Sequence, residues 1–436
     1  MDFPKRGMSK DEVLTTLKGR QGGDADWRNG RTFSLVYYAG PEALDVLYEA
    51  ARAYFSENAL NPMAFPGLRQ CETDVVAMTA AMLHHPDAAG TMTTGGTESI
   101  LMAVKTAREW ARATRPGVTH PEMLVPITVH PAFEKAAAYF DVKAVHAPVG
   151  ADFRVDMGAA RSLVNDNTIL VVGSAPQYPH GVVDPIGELA ALAQERGILC
   201  HVDACLGGFL LPWVEKLGYP VPLFDFRVPG VTSMSADVHK YGYAAKGASV
   251  VLYRERELRR YQFVAYADWP GGLYGSPSMC GTRAGGPIAA AWAIMNHLGE
   301  EGYLRVTRET MTTARRLIDG INAIPGLFVY GEPVGSVFGF GSNDIDVFAL
   351  SEAMEAKGWH LDRLQRPSGL HMMITPAHAP LVDEILGDLR AATEAIRRDG
   401  TTAEGAAAMY GALGTMDDRG TVSEFILNFL DNIDAR

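Results

Sequence analysis

The sequence predicts an α/β protein, with a large, mostly parallel sheet between helices and a smaller α/β unit after it. Three observations carry this. Between about residues 60 and 310, short apolar or β-branched runs alternate with longer helical stretches, as buried parallel strands alternate with their crossover helices. His130, Ser174, Asp203 and Ser235 all fall at the ends of those runs, where sheets of this kind bind ligands. The composition, 47% hydrophobic and 21% charged, is that of an ordinary globular chain long enough to bury a large core.

The elements follow in order. Residues 1–59 form an N-terminal arm. Its helix over 9–19 is capped by Ser9 and carries Val13, Leu14 and Leu17; a second runs over 41–57 and is opened by Pro41. The large domain, 60–310, has expected strands at Met123–Val129, Thr168–Val172, Ile198–Val202, Val231–Met234 and Ala248–Tyr253. Its helices are expected at Ile100–Ala113, Phe133–Phe140 and Ile186–Glu195, with a further one over Leu206–Trp213. Helices at Ile288–Leu298 and Leu304–Ile324 bridge into a C-terminal domain, 311–436. There Phe328–Val329, Ser336–Gly339 and Asp346–Phe348 read as strands and Leu381–Arg397 as a helix. Thr401–Gly411 reads as a loose connection into a last helix at Val422–Ile433.

Charge and cysteine usage narrow the function. The 39 Lys and Arg against 51 Asp and Glu leave a net charge of −12, which opposes nucleic acid or anionic membrane as a partner. Four cysteines without CxxC spacing suit a reducing, cytoplasmic setting. No apolar run is long enough to span a bilayer, and the start, Met1 to Arg6, has no signal-peptide pattern.

The chemistry concentrates in a few motifs. Thr93–Ser99 (TTGGTES) precedes an amphipathic helix. Its glycines, Thr97 and the helix N-terminus suit a phosphate monoester, or else form a simple capped helix. His130, after a strand and before Pro131, could stack on a flat ring or be a polar loop residue. Asp203 could hold a pyridine nitrogen protonated, cap the next helix, or pair with His201 on a metal, although no third ligand stands at useful spacing. Lys240, within Ser235–Gly242 (SADVHKYG), is suited to form a Schiff base with a carbonyl cofactor. Burial and the adjacent His239 are expected to lower its pKa and free the amine. A lysine and an aspartate so placed point to pyridoxal 5′-phosphate. Lys246, six residues on, is the alternative lysine and Arg283 a further cation in a Gly-rich loop; either could hold a phosphate of substrate or cofactor. His84, His85 and His297 read as capping or surface groups.

With Asn58–Met78, SAPQYPHG at 174–181, HVDACLGGF at 201–209 and Trp269–Gly286 added, the chain resembles the sphingosine-1-phosphate lyases from about residue 27 to near its end. These are pyridoxal-phosphate enzymes of fold type I, close to the group II decarboxylases. The resemblance implies that Lys240 carries the cofactor, Asp203 meets its ring nitrogen and His130 stacks on the ring. Gly96 and Thr97 would hold its phosphate, flanked by His239 and Ser235. It implies a homodimer with the active site at the subunit interface, Ser276 reaching in from the second subunit and Tyr37 crossing the same interface. Tyr178 and Lys246 match positions near a phosphorylated sphingoid-base substrate. Where these lyases read Asn-Pro-Leu-His, this chain has Asn58-Ala59-Leu60-Asn61, so a histidine near the substrate phosphate is replaced by Asn61. No membrane anchor is expected, since the chain begins close to the catalytic region.

The implied reaction is a retro-aldol cleavage of the C2–C3 bond, with Lys240, Tyr178 or His239 as the base. The competing readings are an amino-acid decarboxylase on the same fold, a non-catalytic interaction protein, and a metal hydrolase built on His201 and Asp203.

Overall fold

The computed structural model describes residues 3–433; Met1 and Asp2, part of the N-terminal reading above, and residues 434–436 lie outside the described residues. Seven strands form the main sheet: β1 (Ala89–Thr93), β2 (Glu122–Pro126), β3 (Lys143–Ala147), β4 (Thr168–Ser174), β5 (Leu199–Asp203), β6 (Ser233–Ala236) and β7 (Ser249–Tyr253). They lie in the order β1-β7-β6-β5-β4-β2-β3. Neighbours from β6 to β3 pair in parallel, and β7 alone runs against both of its neighbours. Every residue of β2, β4, β5, β6 and β7 is buried, as a sheet covered on both faces requires.

Register fixes where the chemistry falls. Ser174 pairs with Asp203, and Asp203 with Ser235, so three polar residues stand in one row at the C-terminal edge of the sheet. The helix Gly96–Thr114 begins three residues after β1 and brings its N-terminus to the same edge.

A hairpin of β8 (Val264–Tyr266) and β9 (Tyr274–Ser276) stands apart from the sheet, its residues mostly exposed. The two expected bridging helices are one run, Gly285–Asn322, interrupted at Gly299, whose φ of 54° breaks the helical path. Beyond it a four-stranded antiparallel sheet, ordered β10-β11-β13-β12, comprises β10 (Leu327–Val329), β11 (Val337–Ser342), β12 (Asp362–Gln365) and β13 (Ser368–Met373). It builds its own core around Trp359, Phe338 and Phe340, which Phe33 from far earlier in the chain joins.

Several expectations are corrected. Asp346–Phe348 is not a strand: Asp346 caps the helix Val347–Glu355 by accepting from the Phe348 N–H at 2.9 Å. Thr401–Gly411 is not all loose connection. Gly405–Thr415 is helical, and there the Tyr410 hydroxyl donates to the Arg363 carbonyl at 2.7 Å. The helix expected over Leu206–Trp213 starts only at Leu211 and ends at Lys216, the segment before it turning tightly under the sheet edge. The first helix, Lys10–Arg20, has the expected Ser9 cap but buries none of its residues.

Candidate active site

A cleft of about 490 Å³ opens at the C-terminal edge of the main sheet. It gathers Tyr37, Gly96, Thr97, His130, Tyr178, Asp203, His239, Lys240 and Lys246 from the expected residues, and adds Glu98, Asp237, Asp362 and Met373.

The turn after β6 sets the charges. Asp237 is buried, and its Oδ2 lies 3.2 Å from Lys240 Nζ and 3.5 Å from His239 Nε2. Burial would raise this carboxyl, but the Lys240 ammonium and the His239 ring outweigh it and hold it well below the usual range. Lys240 responds in kind. Burial opposes its charge, yet Asp237, then Cys205 and Asp203, raise its pKa above the ordinary lysine value. The expectation of a lowered lysine pKa is thus wrong for the chain by itself: the buried carboxylate three residues earlier holds Lys240 as ammonium.

Asp203 ends β5 and points into the cleft. Its Oδ1 accepts from the Cys205 N–H at 3.0 Å and from the Ser235 hydroxyl at 3.3 Å. Ser235, expected beside a cofactor phosphate, lies fully buried beneath Asp203, in contact also with His201 Nε2 at 3.3 Å and the Cys205 thiol at 3.3 Å. It steadies the aspartate from below. His201 spends its other nitrogen on Ser233 at 2.9 Å, and burial pushes its pKa down to about 4. A metal site with Asp203 therefore has no free imidazole nitrogen to build on.

On the opposite wall, the Gly95–Gly96 turn starts the helix Gly96–Thr114, whose first N–H groups have no partner within the helix. A Cβ at Gly96 would sit 2.7 Å from Asp237 Oδ2 and 2.8 Å from Cys205 Sγ. Glycine is what lets the turn lie that close. Glu98 binds the turn internally, its Oε2 accepting from the Thr94 N–H at 2.7 Å and the Thr94 hydroxyl at 2.6 Å. His130 opens to the cleft and accepts from the Ala132 N–H through Nδ1 at 3.1 Å. The walls crowding its ring lower its basicity, against the pull of Asp203.

Tyr178 is clamped by the smaller sheet. Its hydroxyl donates to Asp362 Oδ2 at 2.8 Å, and its ring stacks on His371 at 4.0 Å. Burial, then the Asp362 charge, raise its pKa far above the ordinary phenol value. Lys246 reaches solvent, donates to the His239 carbonyl at 3.3 Å and stands 5.0 Å over the Tyr37 ring. Partial desolvation, then the Lys240 charge, bring it down to about 8.

Four expected residues lie elsewhere or differently. Tyr37, expected to cross to a second subunit, lines this chain's own cleft and donates to Met373 Sδ at 3.0 Å. Asn61 is exposed on a separate cavity, with Gly275 and Pro277 on either side of Ser276. Ser276 itself donates to the Ser278 carbonyl at 3.0 Å. Arg283 holds no free phosphate position: it is buried and paired with Glu72 at 2.6 and 3.1 Å.

The residues present fit pyridoxal 5′-phosphate. A lysine amine, an acid at a strand end and a glycine-backed helix N-terminus converge on one cleft, and Asp237 Oδ1 is buried with no hydrogen-bond partner among the described residues. The pyridoxal-dependent decarboxylase conserved domain matches residues 45–337. A Lactobacillus brevis glutamate decarboxylase, only 19% identical, shares the fold with a TM-score of 0.79 over 91% of this chain and 95% of its own. The chain is a pyridoxal-phosphate-dependent lyase of fold type I. Within that class the relatives are narrower. A sphingosine-1-phosphate lyase of Arabidopsis thaliana is 46% identical over 99% of this chain and 80% of its own length. That of Rattus norvegicus is 44% identical over 99% and 76%. The structure of a Burkholderia pseudomallei sphingosine-1-phosphate lyase is 39% identical with a TM-score of 0.91, covering 100% of this chain and 97% of that one. The chain belongs to the sphingosine-1-phosphate lyase family.

Sequence reasoning missed Asp237, Glu98 and Asp362. The first two lie inside motifs already singled out, and an acid buried next to Lys240 could have been flagged from SADVHK alone. Asp362 has no local signal, because only the antiparallel pairing of β12 with β13 carries it to the cleft.

Proposed function

We propose that this chain cleaves the C2–C3 bond of sphingosine 1-phosphate, releasing a long-chain aldehyde and phosphoethanolamine. The observation that carries the reading is the pairing, in one cleft, of Lys240 and Asp203 with a second cation, Lys246, that has no carboxylate partner among the described residues. An amine-binding centre beside a free ammonium suits a substrate that is at once an amine and a phosphate monoester.

When bound, pyridoxal phosphate supplies the electron sink that takes up the electrons of the broken carbon–carbon bond. The residues do the rest. Lys240 would hold the cofactor through its amine. Asp203, fixed by Ser235 and the Cys205 N–H, would offer its carboxylate to the ring nitrogen. His130 would cover the ring, and the N–H groups of Gly96 and Thr97 at the helix N-terminus would take the cofactor phosphate. His239 spans from that turn to Asp237. Lys246 and Tyr37 sit where the substrate phosphate would be gripped, which turns the scissile bond to the orientation cleavage needs.

We further propose a cytoplasmic homodimer, in which a second subunit brings Asn61 and Ser276 to the cleft. In its support, both lie at or next to a separate cavity that Lys240 does not line, and all four cysteines are free. No helix among the described residues is long and apolar enough to cross a membrane.

The test is product identification. Incubation with sphingosine 1-phosphate is expected to give hexadecenal by mass spectrometry. Lys240→Ala is expected to lose both the product and the visible absorption of the bound cofactor. Carbon dioxide from an amino acid without any aldehyde would replace this reading with a decarboxylase.

A further inference from the structure

The retro-aldol step needs a group to take the proton of the substrate's C3 hydroxyl. We propose that Tyr178 and Asp362 form a relay for that proton, with Asp362 as its terminal acceptor. The inference rests on the lyase reading above and goes beyond it by giving the smaller sheet a part in the chemistry.

The simpler choices are committed elsewhere: His239 accepts from the Ala248 N–H through Nδ1 at 3.2 Å and faces Asp237 through Nε2 at 3.5 Å. Lys240 is committed to Asp237 in the free chain. Tyr178 cannot serve as a base by itself, because its own proton is held by Asp362 and its phenol is hard to ionise. The same hydrogen bond makes the pair competent together. With its hydrogen directed at Asp362 Oδ2, 2.8 Å away, the Tyr178 oxygen turns lone pairs toward the cleft it lines. As the substrate O–H bond breaks, its proton passes to Tyr178 Oη, and the proton already on Oη passes to Asp362. The released O–H pair becomes the second C–O bond of the departing aldehyde, and the C2–C3 pair remains on the C2 side. That carbon later takes up one proton, so the cycle is proton-neutral, and no free tyrosinate forms.

The clamp around the pair is built for this. Asp362 on β12 lies directly opposite His371 on β13, and the two hold Tyr178 from different sides. His371 stacks on its ring and contacts the Tyr178 carbonyl through Nε2 at 2.8 Å. Burial lowers the His371 pKa against the pull of Asp362, so its ring packs on Tyr178 as the neutral form. Arg363, next along β12, turns away to Ser351 and Glu355. The other ionisable groups facing the pair are Tyr410 from the helix Gly405–Thr415, Tyr37 and, across the cleft, Lys246. Tyr178 is the catalytic member here, and Asp362 acts through it.

Asp362→Asn keeps an acceptor for the phenol but cannot take a proton. Its kcat is expected to fall about 100-fold, the usual worth of a general base, with KM within about threefold of the wild type. Asp362→Glu should recover part of that loss. In a Tyr178→Phe background, Asp362→Asn should cost nothing more, since its route to the substrate is already cut. In the cofactor-free protein, the ultraviolet tyrosinate signal lost on Tyr178→Phe should appear at lower pH once Asp362 is Asn. Wild-type kcat in Asp362→Asn, or an undiminished penalty on top of Tyr178→Phe, would overturn the relay. Failure of the wild type to release aldehyde would instead strike the lyase reading, while the ultraviolet comparison still decides whether Asp362 governs Tyr178.

Discussion

Gly96→Ala puts the cofactor cradle to a direct test. The new Cβ would lie 2.7 and 2.9 Å from the two oxygens of Asp237 and 2.8 Å from Cys205 Sγ, each short of ordinary contact by several tenths of an ångström. Neither neighbour gives way freely. Asp237 is held by Lys240 at 3.2 Å and His239 at 3.5 Å, and the Cys205 thiol donates to Ser235 under Asp203. Relief therefore displaces Lys240 or Asp203, the two groups proposed to hold the cofactor. Overpacking of this kind costs about 1–3 kcal/mol, which as lost cofactor affinity is about five- to 150-fold in Kd. Titrating pyridoxal phosphate into the cofactor-free protein and following its visible band measures this. Gly95→Ala is the control: its backbone is extended and its Cβ meets only His239 Cε1 at 3.3 Å, so its affinity should stay much nearer the wild type. Wild-type affinity and an unshifted thermal midpoint for Gly96→Ala would refute the cradle.

Further outcomes follow from charge and packing. Lys246, drawn down to about 8, is cationic below that pH and neutral above it. The kcat/KM for sphingosine 1-phosphate should fall as pH rises through about 8, and a pH profile of Lys246→Met that kept this limb would assign it to another group. Loss of that charge-assisted contact, about 1.5–3 kcal/mol, should raise KM roughly ten- to 150-fold. Glu72→Gln strands the buried Arg283 guanidinium, so urea denaturation should register about 3–5 kcal/mol of lost stability while cofactor Kd is unchanged; a selective loss of cofactor binding would return Arg283 to the phosphate. Gly181→Ala combines a φ of +70° with a Cβ only 1.7 Å from the Val337 carbonyl oxygen. Together these cost about 2–5 kcal/mol, and a variant as resistant to urea as the wild type would contradict the close approach of the 174–181 loop to β11.

The large sheet was legible because its strands are buried on both faces and so read as unbroken apolar runs. Where burial is uneven, the signal fades. β3 is an edge strand whose Lys143 and His146 face solvent, and β1 reads Ala-Gly-Thr-Met-Thr, with too few large apolar side chains to stand out from a turn. Both were missed. Asp346–Phe348 shows the opposite error: Val347 and Phe348 favour strands taken singly, but the helix Val347–Glu355 buries Val347, Phe348, Leu350 and Met354 at helical spacing behind its Asp346 cap. A longer window would have separated the two. β12, half-buried and bearing Asp362 and Arg363, owes its strand form to pairing with β13 rather than to its own pattern.

The same division explains the site. Lys240, Asp203 and the Gly95–Gly96 turn each belong to a local motif, so residue type and strand-end placement were enough to find them. Their electrostatics were not local in the same way. Lys240 is held as ammonium because Asp237, three residues away, turns back beneath it rather than into solvent, and no sequence spacing distinguishes those two outcomes after a strand end. Ser235 serves as a support for Asp203 for a related reason: paired with it across β5 and β6, it shares the same face of the sheet, and its hydroxyl is taken up by Asp203, His201 and Cys205 rather than left open to a ligand. Asp362 is the extreme case. It becomes a neighbour of Tyr178 only after two sheets have formed and met, with 184 residues between the partners. The half of the cleft proposed to hold the cofactor is therefore written in short motifs of the large sheet, whereas the wall that clamps Tyr178 is written in the register of the smaller one. Mutations that shift β12 against β13, even far from the cleft, should act on turnover rather than on cofactor binding.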